Sequence, residues 1–319
     1  MVLAMLRQAE GWCSGEEVSR RLGVSRAAVA KHVRVLRTQG YDIQAVTRRG
    51  YRLGATDILD ANELQQGLGT TCFGKVGVHW HARTDSTNRD AVALAVGGAA
   101  EGTVVLAGEQ QGGRARTGRV WDSPPGGLYL SLVLRPRLAP QAAPLVTLLT
   151  AVAVCEAISL VTGLAPVVKW PNDVLMGARK VSGNLTEVGL VADTVDWVVT
   201  GVGINVNTRA DQFDSAVRER ATSLVLETGG VVPRVELARA FLQRAEHWYA
   251  ALRDGDPGPV ITRWKELSSV VGKTLRVRAA TGVIEGRVLD MTPEGLLRLC
   301  DADGHEYALH AGDVIDSRA

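Results

Sequence analysis

Cysteine is scarce in this chain and never paired. Cys13, Cys72, Cys155 and Cys300 are spread over 319 residues without a C-x-x-C, and the six histidines form no cluster. That spacing argues against a disulfide framework and a structural zinc site, and for a reducing cytoplasm. His79 and His81 make an H-x-H pair that would share one face of a strand. With no third ligand near them they read as ordinary strand residues, and no metal ligand is assigned. A signal peptide is missing as well, since no basic segment leads into an apolar stretch and a small-residue cleavage site. Only one long apolar run occurs, PLVTLLTAVAVCEAISLVTGL at 144–164. It carries Glu156 and several threonines and lacks flanking Lys or Arg, so a buried core helix is expected there rather than a membrane span. What remains is a soluble, cytoplasmic protein, apolar enough at 46% to bury a sizeable core and long enough for two or three domains.

Net charge is nearly balanced at +2 but unevenly placed. Residues 1–54 hold ten Lys/Arg against four Asp/Glu, so the remainder is net negative. A basic unit of this size points to a polyanion. Residues 2–9 form a short apolar helix. Ser14-Gly15-Glu16-Glu17 has the spacing of a capping box, and the helix GEEVSRRL stops at Gly23, which suits the position just past a C-terminus. Only Val24 separates that glycine from Ser25, a second N-cap, and from the helix RAAVAKHVRVLRTQ ending at Gly40. So tight a join is the pattern of a helix-turn-helix. Val29, Val33 and Leu36 form an inward stripe on the second helix, with Ala27, Lys31, Arg34 and Thr38 opposite. YDIQAV and GYRL then flank Thr47-Arg48-Arg49-Gly50, a hairpin wing with a basic tip. DNA contacts are predicted for Ser25, Arg26, Ala27, Lys31 and Arg34 on the helix and for Arg48 and Arg49 on the wing. A helical docking module with merely solvated arginines is the alternative.

From about residue 55 strands and helices mix. VGVHWHA, GTVVLAGEQ, LYLSLVL, VVKWPNDVLM and WVVTGVGINVN read as strands, several separated by short turns, which favours antiparallel hairpins over repeated βαβ units. Four stretches here make better chemical than structural sense. Thr84-Asp85-Ser86-Thr87-Asn88 follows a strand and precedes the helix RDAVALAV; its side chains either cap that helix or bond a small polar ligand head. GRARTGRVWDSPPGG sets Arg114, Arg116 and Arg119 within six positions on a glycine-punctuated loop. Three such cations repel one another and stabilise no core, whereas arginine forks bind phosphate or carboxylate. The loop has no Lys-Ser/Thr ending on a helix, so it is not a P-loop. It runs into Trp121, a turn and an apolar strand, which suits a pocket lid better than a nucleic-acid-binding loop. Lys169-Trp170-Pro171-Asn172-Asp173 and Arg179-Lys180-Val181-Ser182-Gly183 read as two strands of one hairpin, where Lys169, Asp173 and Lys180 converge on a ligand or form a salt-bridged surface. In Gly201-Val202-Gly203-Ile204-Asn205 glycines punctuate a strand, a sign of close ligand or backbone approach.

In their order along nearly the whole chain, SRAAVAKHVRVLR with RRGYRL, DSTN, QQGGRARTGRVW, SPPGGLYLS, KWPND, RKVSG and GVGINV resemble the family of bifunctional biotin protein ligases and biotin operon repressors. The resemblance implies an enzyme that uses ATP and Mg²⁺ to make biotinyl-5′-AMP and passes the biotinyl group to a lysine of biotin carboxyl carrier protein, an acetyl-CoA carboxylase subunit. It also implies repression of biotin-synthesis genes at operator DNA, with the adenylate as corepressor and a homodimer forming on adenylate or DNA binding. Ser86, Thr87, Asn88 and Gln110 would line the biotin head, with Arg114, Ala115, Arg116, Lys180 and Gly183 also contacting biotin. Arg116, Arg119, Trp121, Lys169, Asn172 and Asn205 would hold ATP and the adenylate. Lys180 and Arg116 would stabilise charge at the reacting carboxylate and phosphate, Lys169 would do so at phosphate, and Asp173 would position the acceptor lysine or help take its proton. The family has glycine where this chain has Ala115; a left-handed φ there would cost alanine about 1 kcal/mol.

The expected fold is α+β. A winged helix-turn-helix spans 1–54, and a central mixed α/β domain of the biotin/lipoate ligase type spans 55–270. Five short strands over 271–319, with turns at ATG, TPEG and DADG, make a small SH3-like β-barrel. A ligand-sensing regulator without catalysis and a lipoate ligase are the competing functions.

Overall fold

Ser14 and Ser25 start two helices almost back to back. In the computed structural model the chain runs through α1 (Val2–Gln8), α2 (Gly15–Leu22), α3 (Arg26–Thr38), β1 (Ile43–Val46) and β2 (Gly50–Leu53). All residues are described except 10, 39, 40, 55, 56, 280, 281, 311 and 319, and of 316–318 only the backbone. The helix stop read at Gly40 and part of the turn read at 280–282 therefore lie outside the described residues. The Ser14 hydroxyl accepts from the Glu17 amide at 3.0 Å and Ser25 from the Ala28 amide at 3.1 Å, each satisfying an otherwise orphaned helical donor. Gly23 closes α2 in the left-handed region at φ 62°. Val18, Val29, Val33 and Ile43 are the centre of the small core. Gly50 also needs to be glycine: at φ 96° a Cβ would fall 2.1 Å from the Cys13 carbonyl, where Cys13 and Tyr51 exchange backbone hydrogen bonds. Residues Met1–Leu59 form one unit and Asp60–Ala319 a second.

The second unit begins with α4 (Ala61–Gln65), β3 (Val78–His81), α5 (Thr87–Val96), β4 (Val104–Ala107), β5 (Leu128–Leu134) and α6 (Pro144–Thr162). It continues through β6 (Val167–Lys169), β7 (Asp173–Met176), β8 (Arg179–Val191), β9 (Thr194–Ile204), α7 (Leu224–Thr228), α8 (Arg234–Arg253) and α9 (Gly258–Leu267). Seven strands make one sheet in the order β3-β4-β5-β9-β8-β7-β6, with β3 and β4 parallel and every other pair antiparallel. VVKWPNDVLM is not one strand. Pro171 has no amide for a ladder, and the chain turns at Trp170–Asn172 so that β6 pairs with β7 and β7 with β8.

The alternation of β9 assigns the layers. Val199 packs under Ala91 and Ala95 of α5, while Thr200, on the opposite face, meets Thr150 of α6 at 3.0 Å. Helix α6 is the long apolar run at 144–164, and twelve of its residues are buried. Helices α8 and α9 cover its outer side, where Glu156 accepts from Arg244, Trp248 and Arg263 at 2.7–2.9 Å. Burial alone would raise the Glu156 pKa, but these bonds outweigh it and hold the carboxyl below its ordinary value. The four cysteines are free thiols.

The C-terminal strands β10 (Thr274–Ala279), β11 (Gly282–Met291), β12 (Leu297–Cys300), β13 (Glu306–Leu309) and β14 (Asp313–Arg318) form an antiparallel sheet in the order β13-β12-β11-β10-β14.

Candidate active site

The α5 face of the sheet has a bare patch where three glycines, Gly183, Gly201 and Gly203, replace side chains. A Cβ on Gly201 would lie 1.6 Å from Asn88 Oδ1, and one on Gly203 would lie 2.4 Å from Trp121 Nε1. Ser86, Thr87 and Asn88 sit at the start of α5 above this patch, each nearly fully buried. They do not cap their own helix. Ser86 holds the N-cap position without a capping bond, Asp85 is paired with Arg89, and the first helical amide, that of Thr87, donates instead to Gln110 Oε1 at 2.8 Å. Gln110 Nε2 in turn donates to Ser123 at 2.8 Å, and the Ser123 hydroxyl to the Trp121 carbonyl at 3.0 Å.

The arginine loop lies folded over the cavity as a tight hairpin. Its backbone closes on itself through Ala115 to Arg119 and Trp121 to Gly113, both at 2.9 Å. Ala115 is extended at φ −124°, a conformation open to any residue, so the strain expected for alanine is absent. The left-handed residues are Thr117 at φ 56° and Gly118 at φ 71°. The three arginines, read as cations that repel one another and stabilise no core, each have a partner. Arg114 pairs with Glu187 at 2.7 Å, Arg119 with Asp313, and Arg116 reaches the Gly312 carbonyl at 3.3 Å and Asn172 Oδ1 at 3.4 Å. Two of these partners lie at the C-terminal sheet, in which spacing alone had revealed no chemistry. Burial pushes the Arg116 pKa down from its ordinary value, against the pull of Asp313 and Asp173. Arginine still stays protonated, so this is a half-buried cation with long, neutral contacts and unspent attraction for an anion.

Lys180, held through its backbone by Arg220 and Thr222, points its ammonium at Asp173 Oδ1, 2.5 Å away, and over the Trp121 ring, 5.0 Å from its centroid. The cavity beneath the loop is small, about 40 Å³, with the Trp121 ring lying on Gly203. It brings together Ser86, Thr87, Asn88, Gln110, Arg114, Ala115, Trp121, Asn172, Lys180 and Gly183 from the residues selected in the sequence. Arg116 lines instead a second cavity of about 340 Å³, together with Thr147, Leu148, Trp170 and His310; Asn172, Asn184 and Leu185 border both. Lys169, Asp173, Arg119 and Asn205 line neither cavity, and Asp173 meets the first only through Lys180. Lys169 pairs across from Asp173 in the β6–β7 ladder, Arg119 is spent on Asp313, and the Asn205 amide donates to the Thr222 carbonyl at 3.0 Å. Sequence reading missed Asn184, which borders both cavities, and Glu187, which bonds Arg114 and Asn88; both are ordinary strand residues until the sheet brings them there.

A model of a helix-turn-helix domain matches residues 2–52, and one described as the biotin/lipoate A/B protein ligase family matches residues 80–205. Over 293 residues the chain is 37% identical to the bifunctional ligase/repressor BirA of Bacillus subtilis (strain 168), covering 91% of this chain and 90% of that protein. The chain belongs to this ligase/repressor family. Its identity to the Escherichia coli K12 member is 30% over 305 residues, covering 95% and 92% of the two chains. Among solved structures, the biotin protein ligase from Aquifex aeolicus in complex with biotin and ATP superposes with a TM-score of 0.64 at 27% identity, over 76% of this chain and 98% of that one. The ligase match begins in β3 and ends just after β9, so it contains the head-group residues, the arginine loop and the Lys180–Asp173 pair.

On the first unit, Ser25, Arg26, Ala27, Lys31 and Arg34 form one exposed face of α3, and Arg48 and Arg49 are exposed at the tip of the β1–β2 hairpin. The guanidinium groups of Arg49 and Arg52 lie 5.7 and 5.1 Å from the Trp12 ring centroid, which orients the wing's positive charge.

Proposed function

We propose that this chain is an ATP-dependent biotin protein ligase and a DNA-binding repressor that responds to its own adenylate. The observation that carries the ligase reading is one cavity shared by a polar head-group pocket, a closed arginine loop and Lys180, whose ammonium is paired with Asp173. In the first half-reaction an oxygen of the biotin carboxylate attacks the α-phosphorus of MgATP and pyrophosphate leaves. Two anions must meet, so fixed positive charge is needed at the point of contact. Lys180 supplies it from the sheet, and Arg116 is an under-neutralised cation at the border with the second cavity. Mg²⁺ enters with ATP as part of the substrate, and no residue of this chain is assigned to it. Trp121, already stacked under the Lys180 ammonium, offers the flat surface for adenine, and Asn172 borders the phosphate side.

In the second half-reaction the ε-amine of the carrier lysine attacks the acyl carbon, AMP departs and the amine loses a proton. Asp173 is the carboxylate within reach to receive it. The second cavity adjoins the first through Asn172, Asn184 and Leu185 and gives the acceptor an approach to the acyl group. The partner protein is the biotin carboxyl carrier protein, and the compartment is the cytoplasm, where ATP and free thiols coexist. A homodimer formed on adenylate binding would present two winged units to two half-sites.

ATP–pyrophosphate exchange tests this reading. Exchange is expected with biotin and not with lipoate; exchange with neither would leave a ligand-sensing regulator. The DNA half has its own test. Arg48→Ala combined with Arg49→Ala should weaken binding to a random-sequence duplex and reduce the slope of log affinity against log salt by about 2, roughly one for each phosphate no longer neutralised. An unchanged slope in anisotropy titrations at several salt concentrations would remove the wing from the phosphate backbone.

A further inference from the structure

Glu187 has no place in the chemistry above, yet it joins the two halves of the pocket. Its Oε1 accepts from Arg114 of the loop at 2.7 Å, and its Oε2 accepts from Asn88 Nδ2 of α5 at 2.9 Å. We propose that Glu187 is a positioning residue for the biotin head-group pocket, which sets the orientation of the Asn88 amide and anchors the loop through Arg114. The inference rests on the reading of this cavity as the biotin site.

Donor and acceptor roles connect these residues. An ionised carboxylate can only accept, so the Asn88 NH₂ faces Glu187 at 2.9 Å and, with its other hydrogen, the Leu185 carbonyl at 3.2 Å, leaving Asn88 Oδ1 to accept from Ser131 at 2.7 Å. Ser131 also contacts the Thr87 hydroxyl at 2.9 Å, and Thr87 meets Gln110 Oε1, whose orientation is fixed by the Thr87 backbone amide. A polar chain, buried at Asn88, Ser131, Thr87 and Ser123, thus runs from the exposed Arg114 through Glu187, Asn88, Ser131, Thr87, Gln110 and Ser123 to the Trp121 carbonyl. It starts and ends on the same loop and passes beneath the cavity, and each end is set by a group with a single hydrogen-bonding role. Glu187 is the one ionised member between the loop cation and the head-group residues. Its carboxylate is also the charge that holds Arg114 over the cavity.

An isosteric Glu187→Gln makes the test sharp, because a glutamine must turn its NH₂ toward one of two donors, Asn88 or Arg114. One of the two bonds is then lost: either Asn88 keeps only the Leu185 carbonyl or Arg114 is released to solvent, so the tie between loop and pocket is cut and KM for biotin in the exchange reaction should rise by about tenfold with kcat at saturating biotin nearly unchanged. Trypsin cleavage at Arg114, Arg116 and Arg119 should rise severalfold without a change in melting temperature, a readout that needs no catalysis. In the Arg114→Met background, Glu187→Gln should add little further loss, since both act through one interaction. An unchanged biotin KM would overturn the proposal, as would unchanged loop cleavage or fully additive losses. If the wild-type protein shows no biotin-dependent exchange but Glu187→Gln still loosens the loop, the biotin reading fails while the anchoring by Glu187 stands.

Discussion

Lys180→Met is expected to slow biotin-dependent ATP–pyrophosphate exchange by about 10²- to 10³-fold, the usual loss when one preorganised group facing developing charge is removed. Methionine keeps the length and apolar stem of lysine, so packing over Trp121 survives and only the charge disappears. Asp173 loses its partner at 2.5 Å, but its side chain is 26% exposed and water can solvate it. The fold should therefore stand, with a melting temperature close to that of the parent. The deficit should appear in kcat rather than in KM for biotin, because charge builds up between carboxylate and phosphate only as the bond forms. Exchange within fivefold of the parent would move the reacting centre away from Lys180.

Gly201→Ala should have the second large effect, this time on binding. The new methyl would lie 1.6 Å from Asn88 Oδ1 and 3.1 Å from Ser131 Oγ. Asn88 has no room to yield, since it is bonded on three sides by Ser131, Glu187 and the Leu185 carbonyl. Either α5 shifts outward or the amide is displaced, and a misplacement of about 1 Å in a positioned group can cost about 10²-fold. Biotin affinity measured by calorimetry should fall by that order. Overpacking should also lower stability by about 1–3 kcal/mol. Gly230→Ala is the matched control, because nothing lies within 4 Å of its added methyl. Biotin binding by Gly201→Ala at parental affinity would place the head group elsewhere.

Much of the architecture was legible because it rests on local chemistry. Ser14, Gly23 and Ser25 mark helix ends with groups that satisfy nearby backbone donors or adopt positive φ, and such signals survive without knowledge of the rest of the chain. The 144–164 run was readable as core from its glutamate and threonines, which find partners in α8, α9 and the sheet. The long amphipathic helix α8 and its neighbour α9 were passed over, although their patterning is ordinary. The break of VVKWPNDVLM into two strands depended on one missing amide, at Pro171.

The site divides along the same line. Residue types and order alone determined that a polar head-group pocket, a cationic loop and a lysine–carboxylate pair belong to one protein beside a basic winged unit, since motif chemistry is carried by contiguous residues. Tertiary structure decided what each arginine faces: Arg114 a strand glutamate, Arg116 the border of a second cavity, Arg119 the C-terminal sheet. It also set aside Lys169 and Asn205, and brought in Glu187 and Asn184. The reason is geometric. Which side chains share a cavity depends on register between strands far apart in the chain, and a single-residue slip would turn each of them to the other face.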